Sequence, residues 1–318
     1  MIKPEKLKLN DRVAIVAPSQ AAKEDLVNRA IKMVEKLGLT PVVYKSCYLI
    51  NNEIDVPPEI RAKDINNAFK DPSIKGIISL KAGYGTMHIL PFIDYEMIKS
   101  NPKVFMGFSN ITVLHLALNK FSSLITFHGP SASFNIWKKG KAKHDIDEYT
   151  YKSLYKSLFV SEPLGIIENP VSEEIQCLYS GNVEGEIIGG NLTLLVNTLG
   201  SKYEIDTRNR ILFIEDMGEP LSNIFSMLKK MEKSKKFKHC EGIILGTWIK
   251  CGEEYNSIKE REEKLKEIFS SVLLPYKKPI FINLRAGHNV PMVTLPLGVK
   301  VKLNGEKNEI NFIESATK

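Results

Sequence analysis

The first half of this chain alternates short apolar runs with amphipathic stretches, and no other feature restricts its fold as much. Residues 12–18 (RVAIVAP) read as a buried strand. Over 23–37, Leu26, Ala30, Ile31, Val34 and Leu37 recur at helical spacing, and Gly38 stands where a helix would stop. Then follow a strand over 40–44, a helix over 58–69, buried strands over 75–80 and 104–107, and a helix over 112–120. Strand–helix alternation of this kind predicts an α/β domain whose parallel sheet is covered on both faces.

From about residue 166 the texture changes. Glycine and β-branched residues become dense, as in 181–190 (GNVEGEIIGG). Strand-like runs follow at 211–214, 242–245, 279–283, 300–303 and 309–313, with amphipathic helices near 222–233 and 258–273. The expected organisation is an N-terminal parallel-sheet α/β domain over 1–165 and a strand-rich, mixed C-terminal domain over 166–318. The polar, lysine-rich region at about 134–180 is the linker.

Composition narrows the functional classes. With 43% hydrophobic and 25% charged residues in 318, a large buried core is expected of a globular chain. No apolar run is long enough to cross a bilayer, and residues 1–11 lack the pattern of a secretion signal, so a cytoplasmic location is expected, with no membrane partner. Cys47, Cys177, Cys240 and Cys251 are widely spaced, and no histidine falls at zinc-ligand spacing, so neither metal nor cofactor is expected. The formal charge is +7, but the lysines are scattered and the cluster at 229–238 has the spacing of a solvated helix face. Nucleic acid is therefore not an expected partner.

Five segments carry candidate chemistry. In 102–120 (PKVFMGFSNITVLHLALNK) a strand runs through Gly107-Phe108-Ser109-Asn110 directly into a helix. A serine at such a turn has the arrangement of a nucleophile elbow, with the next N–H at a helix start where it can face an oxyanion. The alternative is that Ser109 or Asn110 only caps the helix. In 79–90 (SLKAGYGTMHIL), Gly83-Tyr84-Gly85 follows a strand end, where main-chain N–H groups can approach a ligand; His88 stands where a dinucleotide fingerprint needs its third glycine. In 210–220 (RILFIEDMGEP) a strand ends at Glu215-Asp216; Glu215 is the better histidine partner, while Asp216 and Glu219 suit turn or cap roles. In 280–296 (IFINLRAGHNVPMVTLP), His288 sits on a turn after a strand and is a better base than His115, which lies mid-helix among apolar residues. His128, in 125–130 (ITFHGP), could line a cleft or belong to an ordinary turn.

Taken in order, KAGYGTMHILPFIDY, PKVFMGFSNITVLHLAL, FHGP, GGNLTLLVNTLG, ILFIEDMGEP and GHNVPMVTLPLG resemble the signature blocks of the LD-carboxypeptidase family of serine peptidases. That family includes murein tetrapeptide carboxypeptidases and self-immunity hydrolases against microcin C. The resemblance implies Ser109 as nucleophile, His288 as base and Glu215 as the acid orienting it, with Gly83 and Asn110 N–H groups as the oxyanion hole. Tyr84, His128 and Asn191 are the expected substrate contacts. It also implies an active site shared by two domains, a homodimer, and a small peptide substrate. Two departures stand out: the family elbow Gly-Tyr-Ser-Asp is here Gly107-Phe108-Ser109-Asn110, and its Arg-Gly-Gly turn is Lys81-Ala82-Gly83.

Three functions follow as expectations. The first is hydrolysis of the L,D-peptide bond before the terminal D-Ala of a murein tetrapeptide, through an acyl-enzyme. The second keeps the chemistry but takes an aminoacyl or peptidyl nucleotide, with Trp137 or Tyr149 as the stacking aromatic. The third, motivated by the altered elbow, is a protein that binds muropeptides without hydrolysing them.

Overall fold

The computed structural model describes residues 1–134, 146–170 and 173–318; Trp137 lies outside these. In chain order the first elements are β1 (Arg12–Val16), α1 (Glu24–Lys36), β2 (Thr40–Val43), α2 (Pro58–Lys70), β3 (Ile74–Ser79), α3 (Tyr95–Ser100), β4 (Val104–Gly107), α4 (Thr112–Phe121), β5 (Thr126–His128) and α5 (Glu148–Phe159). Next come β6 (Pro163–Ile166), β7 (Gln176–Tyr179), β8 (Asn182–Asn191), α6 (Leu192–Asn197), β9 (Arg210–Met217), α7 (Leu221–Lys233) and α8 (Lys236–His239). The chain ends with β10 (Gly242–Ile249), α9 (Ile258–Leu273), β11 (Ile280–Ile282), β12 (Leu295–Leu297), β13 (Lys300–Asn304) and β14 (Glu309–Ser315).

The chain forms two compact units. The first comprises Met1–Glu162 with Val293–Gly298 and Ser315–Lys318; the second comprises Pro163–Met292 and Val299–Glu314. The two late segments of the first unit lie in the stretch that the sequence assigns wholly to a C-terminal domain.

In the first unit the described strands form one six-stranded sheet in the order β12-β5-β4-β3-β1-β2. Strands β1 to β5 pair in parallel, and β12 adds an antiparallel edge through Leu295↔His128 and Leu297↔Thr126. Helix α1 forms because Val27, Ala30, Met33 and Val34 make one buried stripe. Glu24 and Asp25 at its start and Lys36 at its end suit the helix dipole. Helix α2 opens with Pro58, whose missing N–H costs nothing in the first turn. Val13, Ile15, Ile77, Ile78, Phe105 and Met106 are fully buried along the sheet. Each contributes roughly 1.5–3 kcal/mol by leaving water. The loops after β1, β3 and β4 emerge at the carboxyl ends of neighbouring strands, where open α/β sheets bind ligands.

In the second unit the described strands form an eight-stranded sheet, β6-β14-β13-β8-β9-β10-β11-β7. Its middle, β8 to β11, is parallel, and β13, β14 and β7 add antiparallel partners. The mixed character expected from the sequence is present, built around a parallel core. Helix α6 follows β8, α7 and α8 link β9 to β10, and α9 links β10 to β11, as parallel strands require a crossover. Central β9 is buried from Ile211 to Asp216, and this carries Glu215 into the interior.

Candidate active site

The turn after β4 has the geometry of an elbow. Ser109 has φ 59, a left-handed conformation that costs a non-glycine residue on the order of 1–3 kcal/mol. Gly107 permits the sharp turn: a Cβ there would lie 2.5 Å from Ser79 Oγ and 3.0 Å from two Ile111 side-chain carbons. The serine is partly exposed between buried Phe108 and Asn110. Neither Ser109 nor Asn110 caps the helix through its side chain, since the short 3-10 turn Ser109–Ile111 and α4 both start without a side-chain cap. Instead, Asn110 Oδ1 accepts a hydrogen bond from Thr86 N at 2.9 Å. The Asn110 N–H lies in the first turn, where main-chain donors have no intrahelical acceptor.

Two histidines brace this elbow from inside. His115 is fully buried, and its Nε2 lies 2.9 Å from Gly107 O. Burial lowers its pKa to about 4, so the ring stays neutral and Nε2–H donates to that carbonyl. His128 is also fully buried, its ring edge-on to Phe108 at 6.4 Å and 6.4 Å from the His115 ring. The structure thus gives His128 a packing role in the sheet interior, not the exposed position of a substrate contact.

The turn after β3 holds the other proposed donor. Gly83 has φ 150 and is exposed; a Cβ there would lie 2.7 Å from Gln20 Oε1. Tyr84 is 69% exposed, with its ring edge-on to His88, and so is free to meet a substrate. Gly85 has φ 91 and begins a 3-10 helix, Thr86–Phe92. The sequence reading missed Arg61 on α2: it is 6% exposed, and its guanidinium donates to main-chain oxygens around this turn.

In the second unit, Glu215 and His288 meet. His288 Nδ1 is 2.7 Å from Glu215 Oε2, with side-chain exposures of 5% and 0%. Burial by itself would lower the imidazole pKa, but the charge and hydrogen bond of Glu215, aided by Asp216, turn the net shift upward. With Nδ1–H on the carboxylate, Nε2 is the ring atom left to take a proton. Gly287 (φ 136) makes the approach possible, because a Cβ there would lie 2.7 Å from Glu215 Oε2 and 2.5 Å from Thr247 Oγ1. Beyond the turn, Asn289 Oδ1 accepts from Thr247 Oγ1 at 2.8 Å.

Asp216 and Asn191 have a different task. Asn191 Nδ2 donates to Asp216 Oδ1 at 2.7 Å, and its Oδ1 accepts from Leu194 N as the cap of α6. Asp216 Oδ2 accepts from both N and Oγ1 of Thr193. The cap role expected of Asp216 is what the structure shows, whereas Asn191 spends both polar atoms on structure rather than facing outward. Burial, then the neighbouring Glu215 charge, raises the Asp216 pKa to about 6. Glu219 accepts from Asn223 Nδ2 at the start of α7. Among the described residues no group of histidine, cysteine, aspartate and glutamate is arranged to hold a metal ion.

Comparison with known proteins agrees along the chain. The family models for the LD-carboxypeptidase N-terminal and C-terminal domains match residues 13–129 and 184–303. The chain is 31% identical over 304 residues to a probable murein peptide carboxypeptidase of Bacillus subtilis, covering 95% of this chain and 91% of that protein. It is 30% identical over 277 residues to the microcin C7 self-immunity protein MccF of Escherichia coli, covering 80% and 78%. Among solved structures, an MccF-like protein from Bacillus anthracis superposes with a TM-score of 0.85 at 26% identity, covering 99% of this chain and 100% of that one. On these matches, the chain belongs to the LD-carboxypeptidase family of serine peptidases.

Proposed function

We propose that this protein is a serine carboxypeptidase that removes the terminal D-Ala of murein tetrapeptides by cutting the L,D-peptide bond. The observation that carries the reading is the buried 2.7 Å pair of His288 Nδ1 and Glu215 Oε2. Such a pair has one use in acyl transfer: the carboxylate fixes the tautomer, and Nε2 takes and returns a proton. The nucleophile in this reading is Ser109, whose left-handed turn presents a hydroxyl beside a helix start.

In the first step His288 Nε2 removes the Ser109 proton as Oγ attacks the carbonyl carbon. Negative charge collects on the former carbonyl oxygen, facing the N–H groups of Gly83 and Asn110. Collapse expels the D-Ala amine, which takes the proton from the imidazolium, and Glu215 stabilises that imidazolium meanwhile. Water activated by the same imidazole then frees the acyl group and restores Ser109. Exposed Tyr84 is the proposed substrate contact beside the donor turn.

The similarity to a microcin C7 self-immunity protein supports a second substrate class, aminoacyl or peptidyl nucleotides, for the same machinery. Of the aromatic candidates for stacking on a base, Tyr149 is half-buried on α5. We further propose a cytoplasmic homodimer. No helix of the described residues is long and apolar enough to cross a membrane. Light scattering coupled to gel filtration tests the dimer, and a mass of about one chain, 35.9 kDa, would refute it.

The test of function is mass spectrometry of a tetrapeptide muropeptide incubated beside an acyl-sulfamoyl adenylate. Loss of one alanine from the muropeptide is expected. Cleavage of the adenylate alone would select the second substrate class. A fluorophosphonate probe is expected to label Ser109, and failure to label any residue, with neither substrate cut, would leave a muropeptide-binding protein without hydrolysis.

A further inference from the structure

Arg61 is a buried cation that the proposed chemistry does not use. Its side chain leaves α2 and reaches under the loops that follow β1 and β3. Nη1 donates to Pro18 O at 2.6 Å and to Ser19 O, and lies 3.5 Å from Gly85 O. Nε is buried and makes no hydrogen bond among the described residues. Its hydrogen bonds go to main-chain oxygens, and the carboxylates of Asp55 and Glu59 act on the guanidinium only through their charge, without a hydrogen bond to it among the described residues. A buried, incompletely paired charge is costly, and an apolar side chain would fill the same space more cheaply. The carbonyls it gathers belong to two loops that β1 and β3 place side by side.

The contacts continue to the elbow without a break. Ser19 Oγ and Thr86 Oγ1 are 2.8 Å apart, both buried. Thr86 N donates to Asn110 Oδ1, next to Ser109. The Gly83–Gly85 turn is thereby held from below by Arg61 and from its far end by Asn110. A Cβ on Gly85 would lie 3.4 Å from both Nη atoms of Arg61, so turn and guanidinium are in direct contact.

We infer that Arg61 is the positioning residue of the oxyanion hole: by gathering Pro18 O, Ser19 O and Gly85 O, it fixes the Gly83 N–H against the Asn110 N–H. This inference rests on the assignment of those two groups as oxyanion donors. Arg61 touches neither substrate nor Ser109, and acts only by holding the donor turn. Desolvation lowers its pKa, yet arginine keeps its proton at any working pH, so the clamp does not loosen with pH. All three carbonyls are met by the single atom Nη1, so a lysine, which keeps the charge and one terminal donor atom, can reproduce only part of the clamp.

The test compares wild type with Arg61→Met and Arg61→Lys, measuring kcat, KM, the rate of fluorophosphonate labelling at Ser109, and the melting temperature. Misplacing one donor by about an ångström costs on the order of 100-fold in rate. For Arg61→Met we expect kcat and labelling rate to fall about 10- to 100-fold while KM stays within about 3-fold. Arg61→Lys should recover part of that loss. Wild-type kcat in a folded Arg61→Met protein overturns the inference, as does a loss shared equally by kcat and KM. Should the arginine variants not fold, Thr86→Val cuts the Ser19–Thr86 link while keeping the main-chain bond to Asn110. It should lower kcat about 3- to 10-fold with KM unchanged, on the same misplacement argument; an unchanged kcat overturns the inference. Absence of Ser109 labelling in the wild type is a separate result, because it overturns the serine reading itself and the inference with it.

Discussion

In the proposed mechanism the hydrogen bond from His288 to Glu215 sets the acid side of the activity profile. A base must be unprotonated to accept the serine proton, and the carboxylate raises the pKa of this one above its ordinary 6.5. We expect kcat/KM to fall as pH drops through a midpoint above 6.5, read from initial rates between pH 5 and 9. Glu215→Gln should shift that midpoint downward while lowering the rate, and an unshifted midpoint would detach the profile from this pair. The same raised pKa makes a stability statement. The unfolded imidazole has the lower pKa, so the stabilisation is fully present below pH 6.5 and is lost as pH rises through the folded value. His115 has the opposite sign: its folded pKa is about 4, so stability falls as pH drops from about 6.5 towards 4 and the unfolded chain gains the proton. At the proposed nucleophile, Ser109→Ala should reduce kcat by several powers of ten and leave the urea midpoint unchanged, since φ 59 strains serine and alanine alike. Gly287→Ala should be harmful in both respects. Its methyl group would meet Glu215 Oε2 and Thr247 Oγ1, so we expect at least a 10-fold loss of kcat/KM with about 1–3 kcal/mol of stability.

Between residue and unit, the ends of β8 and β9 and the start of α6 behave as one device. Asp216 accepts from Asn191, from both donors of Thr193 and from its own neighbour Met217 N, so its two oxygens meet donors only. Asp216→Asn would relieve the burial of a charge, but it turns an NH2 group towards donors already in place. Loss of about 1–3 kcal/mol in urea unfolding is therefore expected, and a stabilised variant would contradict this account. The strand ending carries Glu215 one residue before Asp216, so the device also holds the carboxylate that orients His288. The elbow is supported likewise from its own helix: one turn into α4, His115 returns to the carbonyl of Gly107, which also accepts Gly129 N from the strand beside it. Apolar spacing made His115 legible as a packed residue. The hydrogen bond that gives the packing its purpose depends on where the strand before the helix ends, which spacing does not contain.

For the molecule as a whole, the two units are not two successive halves of the chain. Strand β12 is the antiparallel neighbour of β5, and Leu295 and Leu297 are fully buried within the first unit. A chain cut after Glu162 lacks that edge, and β5 would present an open row of hydrogen-bonding groups. We expect residues 1–162 expressed alone to aggregate or to elute as large species on gel filtration, and a monomeric, cooperatively folding fragment would refute this. By itself the sequence determined most elements of the first sheet, because buried parallel strands and amphipathic helices write their periods locally. It also marked the elbow, the strand-end acid and the turn histidine as candidates, since a glycine beside a reactive side chain and a polar residue closing an apolar run are local marks; their joint role came from the resemblance of the blocks taken in order, because each mark alone also suits a cap or an ordinary turn. Only the tertiary structure decided that 293–298 join the first unit, that Asn191 and His128 serve the interior, and that Arg61 lies beneath the donor turn. Each of these is a meeting of residues far apart in the chain, fixed by strand order and by which carbonyls a buried charge can reach. No local period or composition carries that information.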